Sequence, residues 1–197
     1  EFPVCGAALA VDESRVVLEG VPDRPGVSRN IFAKLATANI AVDMIAQSVG
    51  HGGKATIGFT VLSTELDKTL HTLDATVKEL GATLRETGKV SKVSVVGAGM
   101  RKLAGVAEKM FQALCDAGIN LTMITTGDIK ISALIEESAD DAIEAGDAPK
   151  EKIKKSHEDA KRAVRGRKAL RAVHAAFGLN AVRKGADGSF KPRPTPV

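Results

Sequence analysis

The chain contains an internal duplication. The passages at 16–45 and 95–124 align with a constant shift of 79 positions. Nearly all matched positions are apolar residues or glycines, namely Val16/Val95, Val17/Val96, Gly20/Gly99, Gly26/Gly105, Val27/Val106, Phe32/Phe111, Leu35/Leu114, Ala38/Ala117, Ile40/Ile119, Met44/Met123 and Ile45/Ile124. Cores and turns need these residue types, so the duplication predicts two copies of one small folded unit. A function would then use a pair of equivalent sites.

The spacing of apolar residues predicts the elements of each copy. In the first copy, Val27, Ile31 and Leu35 recur at helical spacing, whereas Ile57, Phe59 and Val61 alternate as in a strand. A second helix over 66–80 and a short strand near 83–86 complete the order βαββαβ. The second copy repeats the pattern, with Asn180–Arg183 as its last strand. The chain is therefore predicted to be an α+β protein.

Composition along the chain suggests the domain limits. We predict a first domain at 1–88 with an extra N-terminal strand, and a second domain at 89–183. The second domain carries a charged insertion at about 136–167, where six acids precede a basic run. A tail at 184–197, rich in Gly, Pro and Lys, is predicted to be disordered. The insertion holds none of the matched apolar positions, so we expect deletion of 138–166 to leave the fold nearly intact.

Charge and cysteine content restrict the kinds of function that this chain could have. The net charge of +4 comes from residues 150–171, which hold ten Lys or Arg and three acids. This run could bind nucleic acid, although a solvated helix explains it better. No apolar stretch approaches the roughly 20 residues of a membrane span. Cys5 and Cys115 are expected to be buried, reduced thiols of a cytoplasmic protein, and no His or Cys has metal-ligand spacing.

Three familiar chemistries fail on individual residues. Gly97-Ala-Gly99 lies between a strand and a helix, but a dinucleotide fingerprint needs a glycine where Lys102 stands. The βαββαβ order also fits an RNA-recognition module, which needs aromatic residues on its central strands. The chain has no Trp or Tyr, and only Phe59 is suitably placed, so nucleic-acid binding is not favoured. No nucleophile and base stand together, so we predict no catalytic residue in this chain.

The loop before each first helix is the best candidate binding site. Backbone N–H groups at a helix start attract a carboxylate, and Asp23 in the first loop could pair with an ammonium. Together these groups would suit the zwitterion of an amino acid. Alternatively, Pro25-Gly26 is only a favourable helix start. The residues alone leave both interpretations open.

Several motifs, in order, resemble the regulatory region of aspartate kinase. They are Gly20-Val-Pro-Asp-Arg-Pro-Gly26, Asn39-Ile40, Val42-Asp-Met-Ile45, Gln47, Lys92-Val-Ser-Val-Val-Gly-Ala-Gly-Met100, Gly118-Ile-Asn120, Met123-Ile124, Ile129-Lys-Ile-Ser132 and Ala172-Val-His-Ala-Ala-Phe177. The resemblance covers roughly 15–135 and 168–182. It implies two tandem ferredoxin-like βαββαβ ACT domains, which are amino-acid-sensing units, with antiparallel sheets and helices on one face. The family's Lys-Phe-Gly-Gly kinase start is absent, so the chain resembles a separate regulatory subunit or fragment.

The resemblance also implies residues that bind an effector, between ACT domains of two chains in a dimer. The first site would use Asp23, Gly26, Val27, Ile40 and Gln47. The second site would use Met100, Asn120, Ile124, Thr125, Thr126, Asp128 and Ser132. Two segments at the second site depart from the family pattern, Lys102-Leu-Ala-Gly105 and Thr125-Thr-Gly-Asp128.

The function implied by the resemblance is feedback inhibition of aspartate-family amino-acid synthesis by lysine, threonine or both. The implied partners are a second copy of the chain and a catalytic kinase subunit or domain. No cofactor is expected in this chain, since ATP and Mg²⁺ would belong to the kinase domain. A stand-alone ACT sensor for another enzyme and a nucleic-acid-binding α/β protein are the two alternative hypotheses. Pulling down a kinase chain would separate the first hypothesis from the second.

Overall fold

A computed structural model describes residues 4–98, 105–137, 163–179, 183–184 and 190–191. These residues divide into two compact units. The first unit is Val11–Val90, and the second unit contains the described residues up to Ala10 and from Ser91 onward. Each unit contains one copy of the duplicated passage.

The first unit has the predicted βαββαβ order. Its elements are β1 (Val4–Pro22), α1 (Val27–Thr37), β2 (Val42–Val49), β3 (Lys54–Leu62), a 3₁₀ turn (Ser63–Glu65), α2 (Leu66–Glu79) and β4 (Thr83–Gly97). Strand β1 belongs to this unit from Val11 onward, and β4 belongs to it up to Val90. The strands are ordered β2-β3-β1-β4, and β3 runs antiparallel to both β1 and β2. Strand β2 therefore lies at one edge of the sheet.

The core of the first unit lies between the sheet and its two helices. Alternate residues of β1 and β3 face the helices, and they are buried with apolar residues of α1 and α2. The cluster contains Val16, Leu18, Val21, Val27, Ile31, Leu35, Ile40, Ile57, Phe59, Val61, Leu73 and Val77. Phe59 is fully buried, with its ring edge-to-face on Phe32, so it cannot stack on a base. This alternation confirms the predicted helices on one face.

The second unit repeats this architecture, except that its fourth strand comes from the N-terminal part of β1. Its elements are β4 from Ser91, α3 (Val106–Asp116), β5 (Met123–Thr126), β6 (Lys130–Glu136) and α4 (Val164–Ala176). The strand order is β1-β4-β6-β5, so Val4–Ala10 of β1 fills the place of the fourth strand. The predicted last strand at 180–183 lies mostly outside the described residues, whereas Val4, Ala7 and Leu9 supply apolar residues that pack on this core.

Two long strands correct the predicted boundaries. The extra N-terminal strand was expected to be separate from the first strand of the duplicated passage, but β1 is continuous because no Gly or Pro lies at 11–15 to interrupt it. Likewise β4 is continuous through the predicted boundary at 88–89, where Gly88 takes a positive φ of 84°. The residues up to Ala10 consequently belong with the second unit and not with the predicted domain 1–88.

The charged insertion and the tail lie largely outside the described residues. Strand β6 ends at Glu136 and α4 begins at Val164, so the helix begins earlier than the predicted limit of 167. Residues 138–162 are outside the described part. Within the predicted tail, only Lys184 and Phe190–Lys191 are described, and Arg183–Lys184 pairs antiparallel with Phe190–Lys191.

The two cysteines also differ from expectation. Both are free thiols among the described residues, but both are exposed and not buried. Cys5 lies at the edge of the second unit, on β1, where its Sγ–H donates to the carbonyl oxygen of Val96 at 3.3 Å. An edge strand covers only one side of its residues, which leaves this thiol accessible.

Candidate functional site

The two equivalent helices begin in the same way. Gly26 and Gly105 occupy the N-cap positions of α1 and α3, with φ angles of 92° and 94° that favour glycine. No side chain caps either helix. The first backbone N–H groups of a helix have no intrahelical acceptor, so both starts can accept an anion.

The predicted residues of the first site fall into two groups. Asp23 and Gly26 are exposed in the loop before α1, and the Asp23 N–H donates to the Gly53 carbonyl oxygen at 2.8 Å. This hydrogen bond brings the β2–β3 hairpin loop next to the start of the helix. Val27 and Ile40, in contrast, are buried in the helix-side core. Val27 and Ile40 therefore contribute to the core beneath the helix start, whereas Asp23 and Gly26 are exposed to solvent.

Gln47 connects the edge strand to the start of α1. It is exposed on β2, and its Oε1 accepts a hydrogen bond from Ser28 Oγ at 3.0 Å. Ser28 is the second residue of α1 and was not predicted. A serine in a first helical turn is common, so the sequence held no specific signal for it. The structure therefore places Asp23, Gly26, Ser28 and Gln47 around one helix start.

The register of β5 and β6 divides the predicted second site between two faces. Ser132 is opposite Thr125, whereas Ile124 and Thr126 are opposite Ala133 and Ile131. Ala133 and Ile131 belong to the helix-side core, so Ile124 and Thr126 lie on the helix face at the sheet edge. Thr125 and Ser132 lie on the other face, where Ser132 is 1% exposed and its Oγ is 2.8 Å from Ser94 Oγ.

Two further residues of the predicted second site lie in loops. Asn120 is exposed between α3 and β5, and Asp128 is exposed in the β5–β6 hairpin. That hairpin is closed by a 2.8 Å hydrogen bond from the Gly127 N–H to the Lys130 carbonyl oxygen. Met100 lies outside the described residues. The structure therefore does not gather the predicted second set around the start of α3 as it gathers most of the first set around α1.

The charges at the two helix starts are opposite. Shifted by the repeat spacing, Ser28 and Arg29 of α1 correspond to Ala107 and Glu108 of α3. The first turn of α1 has no acid, whereas Glu108 is an acid in the first turn of α3. A carboxylate ligand would meet a cation at the first site and an anion at the second. Coulomb interaction therefore favours the first helix start.

Neither a metal-binding cluster nor a membrane-spanning helix is found among the described residues. They contain no group of three or more His, Cys, Asp or Glu side chains that could hold a metal ion. Their helices also include none with the length and apolar content needed to cross a membrane.

The duplicated units match a known domain. A family model described as the ACT domain matches residues 15–77 and 93–146, one match for each copy. The chain belongs to the ACT domain family. The predicted fold of two ACT domains, with antiparallel sheets and helices, is thereby confirmed.

Solved structures and curated sequences show which proteins with ACT domains this chain is similar to. A regulatory subunit of aspartate kinase from Thermus thermophilus, in a ligand-free form, is 34% identical with a TM-score of 0.69, over 89% of this chain and 99% of that chain. A structure of aspartokinase alpha and beta subunits is 35% identical with a TM-score of 0.67, over the same 89% and 99%. An aspartokinase from Helicobacter pylori is 41% identical over 133 residues, which is 68% of this chain and 33% of that protein.

These matches confirm the resemblance to aspartate kinase regulatory regions. The ACT-domain chain spans about a third of the length of the longer curated aspartokinases that it matches. It covers nearly all of a separate regulatory subunit. The chain is therefore a regulatory subunit or region of the aspartate kinase type.

Proposed function

We propose that this chain binds an amino-acid effector, lysine or threonine, and transmits feedback inhibition to an aspartate kinase. The observation that carries the proposal is the α1 start in the first unit. There an uncapped helix N-terminus, the exposed Asp23 carboxylate and the Ser28–Gln47 pair lie together. Such a site offers N–H donors to a carboxylate and an acceptor to an ammonium.

The binding chemistry can be tested with matched ligands. Calorimetry with L-lysine and L-threonine should give saturable binding to the purified chain. The corresponding amino-acid amides, which lack the carboxylate, should bind at least tenfold more weakly, because the helix N–H groups lose their anionic partner. Equal binding of acids and amides would refute the carboxylate assignment. No binding of either amino acid would refute the effector class.

We further propose that the chain forms a homodimer through edge strands of its ACT domains. Strand β2 is an edge in the first unit and β5 is an edge in the second. Both expose an isoleucine at equivalent positions, Ile45 at 48% and Ile124 at 44%. Unpaired edge strands with exposed apolar residues are ready to pair with another chain.

Light scattering at micromolar concentration should therefore report a dimer. Ile45→Arg and Ile124→Arg should each weaken it, because a charge would be buried in the interface. Leu62→Arg is the control, since Leu62 is similarly exposed but lies at the end of β3, which is not an edge strand. A monomeric wild-type chain would refute the dimer, and a dimer insensitive to both isoleucine variants would refute the edges.

The third part of the proposal is a catalytic partner. One of the similar structures contains both alpha and beta subunits of an aspartokinase, which supports a separate kinase chain as partner. Co-purification should recover a chain that phosphorylates aspartate, with ATP and Mg²⁺ bound by that chain. The effector should inhibit this activity only when the regulatory chain is present. Co-purification of an unrelated enzyme would instead support a stand-alone ACT sensor. The proposed location is the cytoplasm.

A further inference from the structure

Helix α4 begins without a cap of its own. Its N-cap residue is Ala163, and no residue of its first turn is acidic. The same turn carries Arg165 and Arg167, although cations are disfavoured at a helix N-terminus. Local sequence alone therefore provides little to hold this helix start in place.

A carboxylate from elsewhere in the chain supplies the missing cap. Glu137 follows β6 directly, and its Oε2 accepts a hydrogen bond from the Arg165 N–H at 3.1 Å. Its Oε1 accepts one from the Gly166 N–H at 2.8 Å and another from Ser91 Oγ at 2.5 Å. One side chain thus joins β4, β6 and α4.

Close packing surrounds this carboxylate. A Cβ atom added to Gly166 would lie 2.5 Å from Ser91 Oγ and 3.0 Å from Glu137 Oε1. The helix approaches the sheet closely enough that only glycine fits. Farther along α4, Ala169 and Val173 are fully buried in the core of the second unit.

We propose that Glu137 is a latch that docks α4 on the second unit, whatever amino-acid effector the chain binds. The latch links the last described residue before 138–162 to the first turn of the helix that follows. The contacts of Glu137 therefore hold the end of β6 and the start of α4 together, without a contribution from that charged segment. Release of the carboxylate frees the start of α4 and loosens the packing of Ala169 and Val173. The predicted harmless deletion of 138–166 is corrected here, since it would remove Gly166 and the latched turn.

Amide hydrogen exchange resolves the effect of the latch. In Glu137→Ala, amides of α4 should exchange at least tenfold faster than in the wild-type chain. Glu137→Gln, which keeps one acceptor oxygen but no charge, should give an intermediate increase. Glu136→Gln removes the same charge from the exposed neighbouring residue but leaves the hydrogen bonds of Glu137 to Ser91, Arg165 and Gly166 in place, so α4 should stay protected. Helix α1 is the internal reference.

Two outcomes would overturn the latch. One is wild-type exchange of α4 in both Glu137 variants. The other is loss of α4 protection when 138–162 is replaced by a short Gly-Ser linker, since the segment itself would then hold the helix. If Glu137→Ala does not fold, the comparison of Glu137→Gln with Glu136→Gln decides alone.

A rescue experiment tests the packing that the latch requires. Gly166→Ala should lower the melting temperature, although Ala favours helices over Gly. Ser91→Gly removes both Ser91 atoms that the new methyl group would meet, and the double variant should recover part of the lost α4 protection, because the Arg165 and Gly166 N–H groups still donate to Glu137. A Gly166→Ala chain as stable as the wild type would contradict the close approach.

Discussion

The two helix starts of this chain have the same backbone and different surroundings. Both begin at a left-handed glycine, Gly26 or Gly105, and the two helices end at equivalent left-handed residues, Asn39 and Gly118. Yet α1 opens with Ser28 and Arg29 where α3 opens with Ala107 and Glu108. Positions that the backbone and the core require are the same in both copies. Positions in the first turn of each helix, outside the core, differ.

The hairpins beside the two helices differ in the same way. Strand β2 has eight residues, whereas β5 has four. Gln47 on β2 contacts Ser28, whereas the residues equivalent to Gln47 and Ser28 in the second copy are Thr126 and Ala107. The first unit thus has a polar cluster at its helix start, whereas the second unit shares mainly the fold. The following predictions test that division, beginning with the largest effect.

The core architecture that the two units share can be tested at the equivalent residues Leu35 and Leu114, which are 1% and 0% exposed. Leu35→Ala and Leu114→Ala should each lower the free energy of unfolding by about 2–5 kcal/mol, because each leaves a cavity. Urea denaturation measures both. Leu62→Ala, at an exposed leucine, is the control and should cost much less. A cost under about 1 kcal/mol for either core variant would show that the two cores are not equivalent.

The functional part is tested by Asp23→Ala. We expect effector affinity to fall about tenfold to a hundredfold, because a charge-assisted contact of roughly 1.5–3 kcal/mol is lost. The melting temperature should change little, since Asp23 is exposed. Asp128→Ala should affect only binding at the second unit. If Asp23→Ala keeps full affinity for lysine and threonine while folded, the first site is wrongly assigned.

Ser28→Ala tests the contact that only the first unit has. The variant loses the hydrogen bond to Gln47, which is worth about 0.5–1.5 kcal/mol net. We expect effector affinity to fall by up to about tenfold, with stability nearly unchanged because Ala favours the helix. The matched change is Ala107→Ser in the second unit, which should leave effector binding as it was. A similar response to both changes would remove the distinction between the units.

Exchange of the first-turn charges should change the stability of each helix only slightly. Arg29→Glu should stabilise α1 by about 0.3–1 kcal/mol through the helix dipole, and Glu108→Arg should destabilise α3 by a similar amount. Effector affinity at the first site should fall in Arg29→Glu, in opposition to the gain in stability. Melting temperatures at low and high salt give the check, because screening should reduce both shifts. Shifts of the same sign would contradict the dipole argument.

Much of the fold could be predicted because its signals are local. Helical spacing located α1, α2 and α3, and alternation located β3, since both patterns depend only on neighbouring residues. The pairing of strands is not local. Nothing in the spacing of Val4–Ala10 indicates that this segment joins β4 instead of the first copy. The sequence alone therefore could not show that Val4–Ala10 supplies the fourth strand of the second unit.

The site was predictable to the same extent. Asp23, Gly26 and Gln47 follow from the loop and from the resemblance, and the structure places them at one helix start. The division of Thr125 and Ser132 from Ile124 required the strand register, which the sequence does not contain. Glu137 was missed because its partners, Ser91 and Gly166, are distant in the chain.

The shared strand β1 has a consequence for the order of folding. Cys5 contacts Val96 across 91 positions of sequence, a separation that includes the whole first unit. Closing so long a loop in an unfolded chain is entropically costly, and contacts of this kind slow folding. Strands β1 and β4 are already neighbours within the first unit, so its folding shortens the effective loop to a few residues on each side. We therefore expect the first unit to act as a template, and the second to acquire its edge strand only afterwards.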